Sequence, residues 1–461
     1  MGRLVDKKAV IQKVRSAGVV GAGGAGFPTH VKLASKANTV IANGAECEPL
    51  LEVDINLLAH HIDEVLQGLE AAKEVVGAGE AQFAIKAKHH RLVAKLEAVA
   101  ADNPWLRIVG LPDIYPIGDE HLLVHRVLGK TVPPGGIPLD VGVVVLNIET
   151  LFNIGRALQG EAVTTSYVTV AGAVSSPSTM AVPIGTSMED VLAFAGPLFD
   201  MRELALVEGG PLMGRLVDDP REPVTKTTKG LIVLPWDHRL VTRLQSRSTI
   251  LRRSFSVCSQ CTMCTDLCPR HLLGHPIWPH RIMRALFGLG GTEWADIRRQ
   301  ENGDVLQGAL LCSECGVCDQ YACFMGLSPR YVNQELKKHF RYLQGDPPTR
   351  DSAMGPFNNK REDSQVPTNR LLYRLELDRW GKSTSLTAPL PSPAKVKIRL
   401  KQHIGTEAYP LVQVGDVVAK GDLIGDVPQE QLGAPVHSSI DGIVESVHHS
   451  AIVIRRWENH G

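Results

Sequence analysis

Eight of the nine cysteines of this 461-residue chain fall into two groups. The first reads CSQCTMCTDLCP and supplies Cys258, Cys261, Cys264 and Cys268, followed by Pro269. The second reads CSECGVCDQYAC and supplies Cys312, Cys315, Cys318 and Cys323. Three thiolates spaced two residues apart on one loop can wrap three irons of a cubane. The fourth iron needs a thiolate from elsewhere, and in two-cluster proteins the fourth cysteine of each run serves the other cluster. That logic places Cys258, Cys261, Cys264 and Cys323 on one [4Fe–4S] cluster, and Cys312, Cys315, Cys318 and Cys268 on a second. Structural zinc uses separated Cys-x2-Cys pairs, not a triple run repeated twice. Disulfides need an oxidising compartment, and such short gaps pair poorly within a run. The second run departs in one respect: four residues precede its last cysteine, and no proline follows.

Something must hold these groups in a reducing compartment and feed them electrons. The length suggests roughly three to four domains, and 44% hydrophobic residues suffice for packed cores. Lysine plus arginine equals aspartate plus glutamate at 49 each. Zero net charge and few aromatic residues argue against a dedicated nucleic-acid binder. Met1 to Ser16 lacks the apolar core of a signal peptide. No apolar run reaches the ~18 residues of a membrane span.

Residues 5–16 place Val10, Ile11 and Val14 at helical spacing. A glycine-rich stretch follows, GVVGAGGAGFPTHVKL, in which Gly21, Gly23 and Gly26 fit G-x-G-x-x-G. The ordinary dinucleotide fingerprint follows a strand, whereas here a helix precedes it. Phe27-Pro28-Thr29 opens a helix, with proline in its first turn. Glycine N–H groups beside a helix N-terminus make a phosphate cradle, and Lys32 can add a point charge. The alternative is a glycine-rich packing turn. The strand starting at Thr39 ends in Asn43, Glu46, Cys47 and Glu48. Polar groups at a strand's carboxyl end are where open α/β sheets bind ligands. A helix over 54–76, a strand over 82–87 and a strand over Val141–Thr150, ending in Asn147 and Glu149, complete an α/β pattern up to about residue 160. Cys47 is the leftover thiol, expected buried beside the site.

Residues 164–235 alternate as short strands around a helical middle, Ser187 to Ala195, which suggests a β-grasp unit acting as a spacer. Gly209, Gly210 and Pro211 read as turn residues. The basic stretch 238–253 reads as a solvated helix face leading into the clusters, or as a docking face for an acidic partner. Helical patterning between the cysteine runs, from IMRALFGLG to LQGALL, suits an α-helical ferredoxin domain. His271, His275 and His280 read as packing or surface residues, since a corrinoid-ligating Asp-x-His-x-x-Gly would need aspartate where Pro269 stands. Residues 346–395, rich in Pro, Ser and Asp, read as a linker. The tail, 396–461, carries two short-strand runs with Gly-Asp turns, as in a small all-β sandwich.

GAGGAGFPT, NGAECEP, YPIGDE and LNIETLFN together resemble the FMN- and NADH-binding fold of the complex I flavoprotein subunit, and more closely the RnfC component of ferredoxin–NAD oxidoreductases. The resemblance implies that Gly21, Gly23, Gly24 and Lys32 hold the FMN phosphate. Asn43 and Glu46 would lie by the isoalloxazine, Tyr115, Gly118, Glu120 and Asn147 would complete the pocket, and Glu48 would lie near the nicotinamide nucleotide. Ala45 stands where complex I has aspartate, and YPIGDE replaces its Tyr-x-x-Gly-Glu-Glu loop. The tail resembles the barrel-sandwich hybrid of lipoyl and biotinyl carriers but lacks their lysine, which leaves a scaffold or docking role.

RnfC proteins carry that sandwich before the flavin domain; here it comes last. The order is an α/β flavin domain (1–160), β-grasp (164–235), α-helical two-cluster ferredoxin (240–345), linker (346–395) and all-β barrel-sandwich hybrid (396–461). It is similar to that of the cobalamin reductases of propanediol-utilisation microcompartments. This implies an oxidoreductase passing electrons from NADH through FMN and two [4Fe–4S] clusters to cob(II)alamin. It also implies a corrinoid adenosyltransferase and shell proteins as partners, and a cytoplasmic microcompartment location. An Rnf-like protein feeding ferredoxin, or a non-enzymatic cluster-bearing adaptor, are the alternatives.

Overall fold

The computed structural model describes residues 6–286, 303–342, 355, 361–381 and 383–457. The first 155 or so residues build a parallel sheet. Helix α1 (Lys7–Ser16), capped by Asp6, buries Val10 and Val14. After the glycine-rich loop come α2 (Thr29–Leu33), β1 (Thr39–Gly44), α3 (Val53–His60), α4 (Ile62–Val76), β2 (Glu80–Lys86) and α5 (His90–Asp102). Then follow β3 (Leu106–Leu111), the short β4 (Ile114–Tyr115), α6 (Glu120–Leu128), β5 (Val143–Asn147) and α7 (Ile148–Leu158). The sheet order is β3-β2-β1-β5, and every pair is parallel. Both faces are covered, so the strands are continuously apolar. Val40 and Ala42 join the core under α4 and α7, while Ile41 joins the core under α6.

One expectation is corrected. The helix over 54–76 is two helices, broken at His61, whose φ of −133° and ψ of 38° leave the helical region. The His61 ring packs against Phe152 and Tyr167, at 5.1 and 6.4 Å between centroids. Tertiary packing there overrides a continuous helical pattern.

The second unit holds β6 (Thr165–Gly172), β7 (Ser178–Pro183), α8 (Met188–Ala195), β8 (Leu204–Glu208), β9 (Arg215–Leu216) and β10 (Gly230–Pro235). Its sheet runs β7-β6-β10-β8-β9, with β6 and β10 parallel and the other pairs antiparallel. Helices α9 (Arg239–Gln245) and α10 (Arg247–Ser254) lead into the cysteine-bearing unit. Its described parts are helical around Cys268, Leu306, Leu311 and Phe340. Residues 287–302, part of the expected helical stretch between the runs, lie outside the described residues.

The segment expected as a linker differs from that reading in its described part; residues 346–354 and 356–360 lie outside it. Val366–Pro367 pairs antiparallel with β4. The helix Thr368–Arg374 and its exit bury Leu371, Leu375 and Leu377 in the core shared with β8 and β10. Thr387 N and Leu390 N then bond to the Thr179 and Ala181 carbonyls of β7. The tail is a sandwich of one four-stranded and one three-stranded sheet, closed over Val396, Ile398, Ile424, Ile452 and Ile454. Among the described residues no helix is long and apolar enough to cross a membrane.

Candidate functional site

In the order β3-β2-β1-β5 the chain leaves β1 toward opposite sides of the sheet, so the carboxyl ends of β1 and β5 flank a topological switch point. Most of the sequence-derived residues converge there. Asn43 and Asn147 stand in register on the two strands. The Asn43 amide donates to the Gly118 carbonyl at 3.0 Å, and its oxygen accepts from Ala45 N. Asn147 caps α7 by accepting from Glu149 N, and its amide donates to Asp54 at 2.6 Å.

The glycine-rich loop lies against the same end of the sheet. Gly21 N bonds to Phe27 O, and Ala22 N donates to Thr150 Oγ1 on α7 at 3.0 Å. A Cβ on Gly23 would sit 3.0 Å from the Asn147 Cβ, while the space beside Gly24 is open. Lys32 reaches the Val145 carbonyl at 3.0 Å and the Glu120 carboxylate at 3.4 Å. The helix after the loop, α2, is only five residues. The eleven-residue α7, beginning beside Gly23, brings the stronger helix N-terminus to this corner. A cation, glycine N–H groups and an open corner fit a phosphate; two strand-end amides fit the polar edge of a flavin ring.

Beneath these residues lies a network that local sequence pattern does not show. Lys229, just before β10, pairs with Asp54 at 3.2 Å and with Glu149. Glu46 caps α3, accepting from Asp54 N at 3.0 Å and Ile55 N at 3.2 Å. Burial, then the neighbouring Asp54 charge, pushes the Glu46 carboxyl up to about 8. Asp54 and Lys229 are 175 positions apart in the chain, so no motif joins them.

Glu48, expected near the nicotinamide nucleotide, has its carboxylate filled by protein donors. It accepts from Leu212 N at 2.8 Å and Met213 N at 3.1 Å, and meets the Tyr115 hydroxyl at 3.1 Å. Burial raises it to about 7. The loop Gly209–Gly214 therefore wedges between the first domain and the cysteine unit, where Arg330 donates to Leu212 O and pairs with Asp319. A Cβ on Gly210 would fall 2.1 Å from Glu48 Oε2, so only glycine fits. Cys47 accepts from Gly118 N at 2.8 Å, and burial pushes its thiol up to about 11. It braces the Tyr115–Glu120 loop as a neutral thiol.

That loop reaches the cysteines. Tyr115 donates to the Cys315 carbonyl at 2.5 Å, and Asp119 pairs with Arg270, two residues past Cys268, at 2.8 Å. His275 bonds through Nε2 to Val132 O, His271 packs on Trp278, and His280 bonds to Thr265. All three are packing residues.

Cys258, Cys261, Cys264 and Cys323 line one pocket together. Cys268 lies by Cys312, and both bear electrostatically on Cys315. Cys323 thus stands with the first run, and Cys268 lies near Cys312 and Cys315 of the second as well as near Cys264 of its own. Burial first, then neighbouring thiols, holds Cys264 up at about 12, and burial does the same for Cys268. Thiols crowded this way ionise readily only beside a cation, which suits cluster iron. The two runs also share a backbone device. Gln260 and Thr262 adopt φ of 57° and 67°, and Glu314 and Gly316, at matching positions of the second run, adopt 61° and 79°. Left-handed residues on either side of the second cysteine curl each loop inward. The one-residue longer gap before Cys323 is taken up by a π-turn, Val317–Ala322, closed by Cys323 N to Cys318 O at 3.1 Å.

Three family models match parts of the chain: the Nuo51 FMN-binding domain over residues 14–156, a 4Fe–4S dicluster domain over 257–328, and the RnfC barrel-sandwich hybrid domain over 381–456. The chain is 41% identical over 458 residues to a cobalamin reductase PduS of Citrobacter freundii, covering 98% of both. It is 41% identical over 447 residues to the PduS of Salmonella typhimurium, covering 96% of both. A component of the proton-translocating ferredoxin:NAD(+) oxidoreductase complex of Clostridium ljungdahlii is 32% identical, over 58% of this chain and 56% of that one.

Proposed function

The chain belongs to the cobalamin reductase PduS family, and from that premise we propose that it passes electrons from NADH, by way of FMN and two [4Fe–4S] clusters, to cob(II)alamin. The product, cob(I)alamin, would be adenosylated for propanediol degradation. Bound in this chain, FMN supplies two-electron uptake with one-electron release, and the clusters supply one-electron transfer. Gly21, Gly23, Gly24 and Lys32 hold the phosphate end. Asn43, Glu46 and Asn147 set the ring against the strand ends, and Tyr115, Gly118 and Glu120 close the site. Two thiol sets hold the clusters: Cys312, Cys315, Cys318 and Cys268 nearer the flavin loop, and Cys258, Cys261, Cys264 and Cys323 nearer solvent.

The observation that carries this reading is the reach of a single loop. Residues 115–120 touch Asn43 at the switch point through Gly118, and touch the cysteine unit through Tyr115–Cys315 and Asp119–Arg270. A flavin there would adjoin the buried thiol set, so an electron need not cross solvent. The same premise brings a corrinoid adenosyltransferase and microcompartment shell proteins as partners, with the protein in the cytoplasm inside that compartment.

The test is anaerobic. The protein, reconstituted with iron, sulfide and FMN, is given NADH with and without cob(II)alamin and its adenosyltransferase. Bleaching of flavin and cluster absorbance with corrinoid consumed supports the reductase. Bleaching without corrinoid turnover keeps the cofactors and moves the acceptor to a ferredoxin-like protein, in line with the ferredoxin:NAD(+) oxidoreductase for which the Clostridium relative is named. Cys261→Ala should stop acceptor reduction with flavin still bound; undiminished corrinoid turnover in that variant refutes the wire.

A further inference from the structure

Seven of the eight paired-run cysteines are buried or half-buried; Cys261 is exposed. Two large apolar side chains next in sequence to cysteines of its pocket are also exposed. Met263, beside Cys264, is 41% exposed, and Phe324, beside Cys323, is 57% exposed.

Among the described residues, the exposed charges on the flanking helices are arginines. On one side, α10 ends in the exposed Arg252 and Arg253, and Arg253 is seated by a 3.4 Å bond to Met325 O, two residues past Cys323. On the other side, the helix Pro279–Leu286 is tied to the Met263–Asp266 turn by His280 N to Thr265 Oγ1 at 3.0 Å, and it exposes Arg281 and Arg284. Across the described segments 252–266, 279–286 and 323–327 the only acid is Asp266, engaged by Thr262 Oγ1 at 2.8 Å. The basic stretch read from sequence thus ends beside a thiol set.

We propose that this face, Cys261 with Met263 and Phe324 inside a rim of Arg252, Arg253, Arg281 and Arg284, docks an acidic protein that carries a one-electron acceptor. The inference rests on the electron-transfer reading and adds where electrons leave and what kind of protein receives them. Cations around an apolar centre steer an acidic partner and fix its orientation, while the centre supplies contact. A second copy of this chain would set arginine rim against arginine rim, which like-charge repulsion opposes.

The probe is oxidised flavodoxin, a small acidic one-electron carrier, with basic cytochrome c as control. Binding to the reconstituted protein is read by calorimetry, without NADH or corrinoid. Flavodoxin should bind, with affinity falling about tenfold from low salt to roughly 0.3 M salt. Arg252→Glu with Arg284→Glu should weaken it at least about tenfold more, while cluster absorbance stays unchanged. The Gln pair should fall between. Unaltered binding by the Glu pair, equal binding of cytochrome c, or sedimentation as a dimer through this face overturns the proposal. Binding without corrinoid turnover in the anaerobic assay fails the reductase reading but keeps the face. Turnover with free corrinoid and no flavodoxin binding does the reverse.

Discussion

Cys268 belongs to the first thiol run by sequence and lies near Cys312 and Cys315 of the second. Substituting it therefore tests the crossed ligation directly. Cys268→Ala should remove the iron held with Cys312, Cys315 and Cys318, and Cys323→Ala should remove the iron held with Cys258, Cys261 and Cys264. Iron content with electron paramagnetic resonance of the reduced protein separates the two, because Cys261 of the Cys258 set is exposed while Cys268 and Cys318 of the other set are buried. Each variant losing the signal of its own run would refute the crossing. Tyr115 is the second residue to test. Tyr115→Phe removes the donor to the Cys315 carbonyl, and stranding a buried acceptor costs about 1–3 kcal/mol. Denaturant unfolding should show that loss, and the resonance of the buried set alone should shift. The thiol runs were legible because cluster ligands are local and evenly spaced. Asp54, Lys229 and Arg330 were not, since an ion pair or hydrogen bond formed between segments more than a hundred residues apart leaves no periodic trace.

Between elements, α4 packs closely against α7, and two glycines make it possible. A Cβ on Gly155 would lie 2.2 Å from Glu64 O, and one on Gly68 would lie 1.9 Å from Leu151 O. Gly155→Ala must push the helices apart, at about 1–3 kcal/mol of overpacking. Because α7 begins with Asn147 and carries Thr150, which bonds to Ala22 N in the glycine-rich loop, the same change should loosen flavin binding. A lower unfolding midpoint together with faster FMN release is the expected pair of results; an unchanged midpoint refutes the packing argument. The parallel strands were readable as short apolar runs ending in polar residues. The break at His61 was not, because it is set by rings from α7 and β6. Nor was the packing of residues 361–381, where a few leucines in a polar stretch find a core built by other segments.

Across the whole molecule, three units meet at one ammonium group. Lys226, from the loop before β10, is 4% exposed and donates to Gly18 O at 2.7 Å and to Pro435 O at 2.8 Å. Its backbone N–H bonds to Gln402. It thereby ties the glycine-rich loop to the C-terminal sandwich. Burial lowers the Lys226 pKa from 10.5 to about 7. Between these values the unfolded chain holds a proton that the folded chain has released, so stability rises with pH through this window and the burial penalty is complete below it. The neutral amine still donates to both carbonyls. Lys226→Met has neither the proton nor the donors. Its deficit relative to the parent should therefore widen from pH 7 to pH 9.5, by about 1–3 kcal/mol. Urea unfolding of both proteins at the two pH values measures this directly. Hydrogen exchange at Gly18–Gly26 should rise in the variant, and FMN should dissociate faster. A deficit that stays constant from pH 7 to pH 9.5 would mean that Lys226 is held charged in the fold.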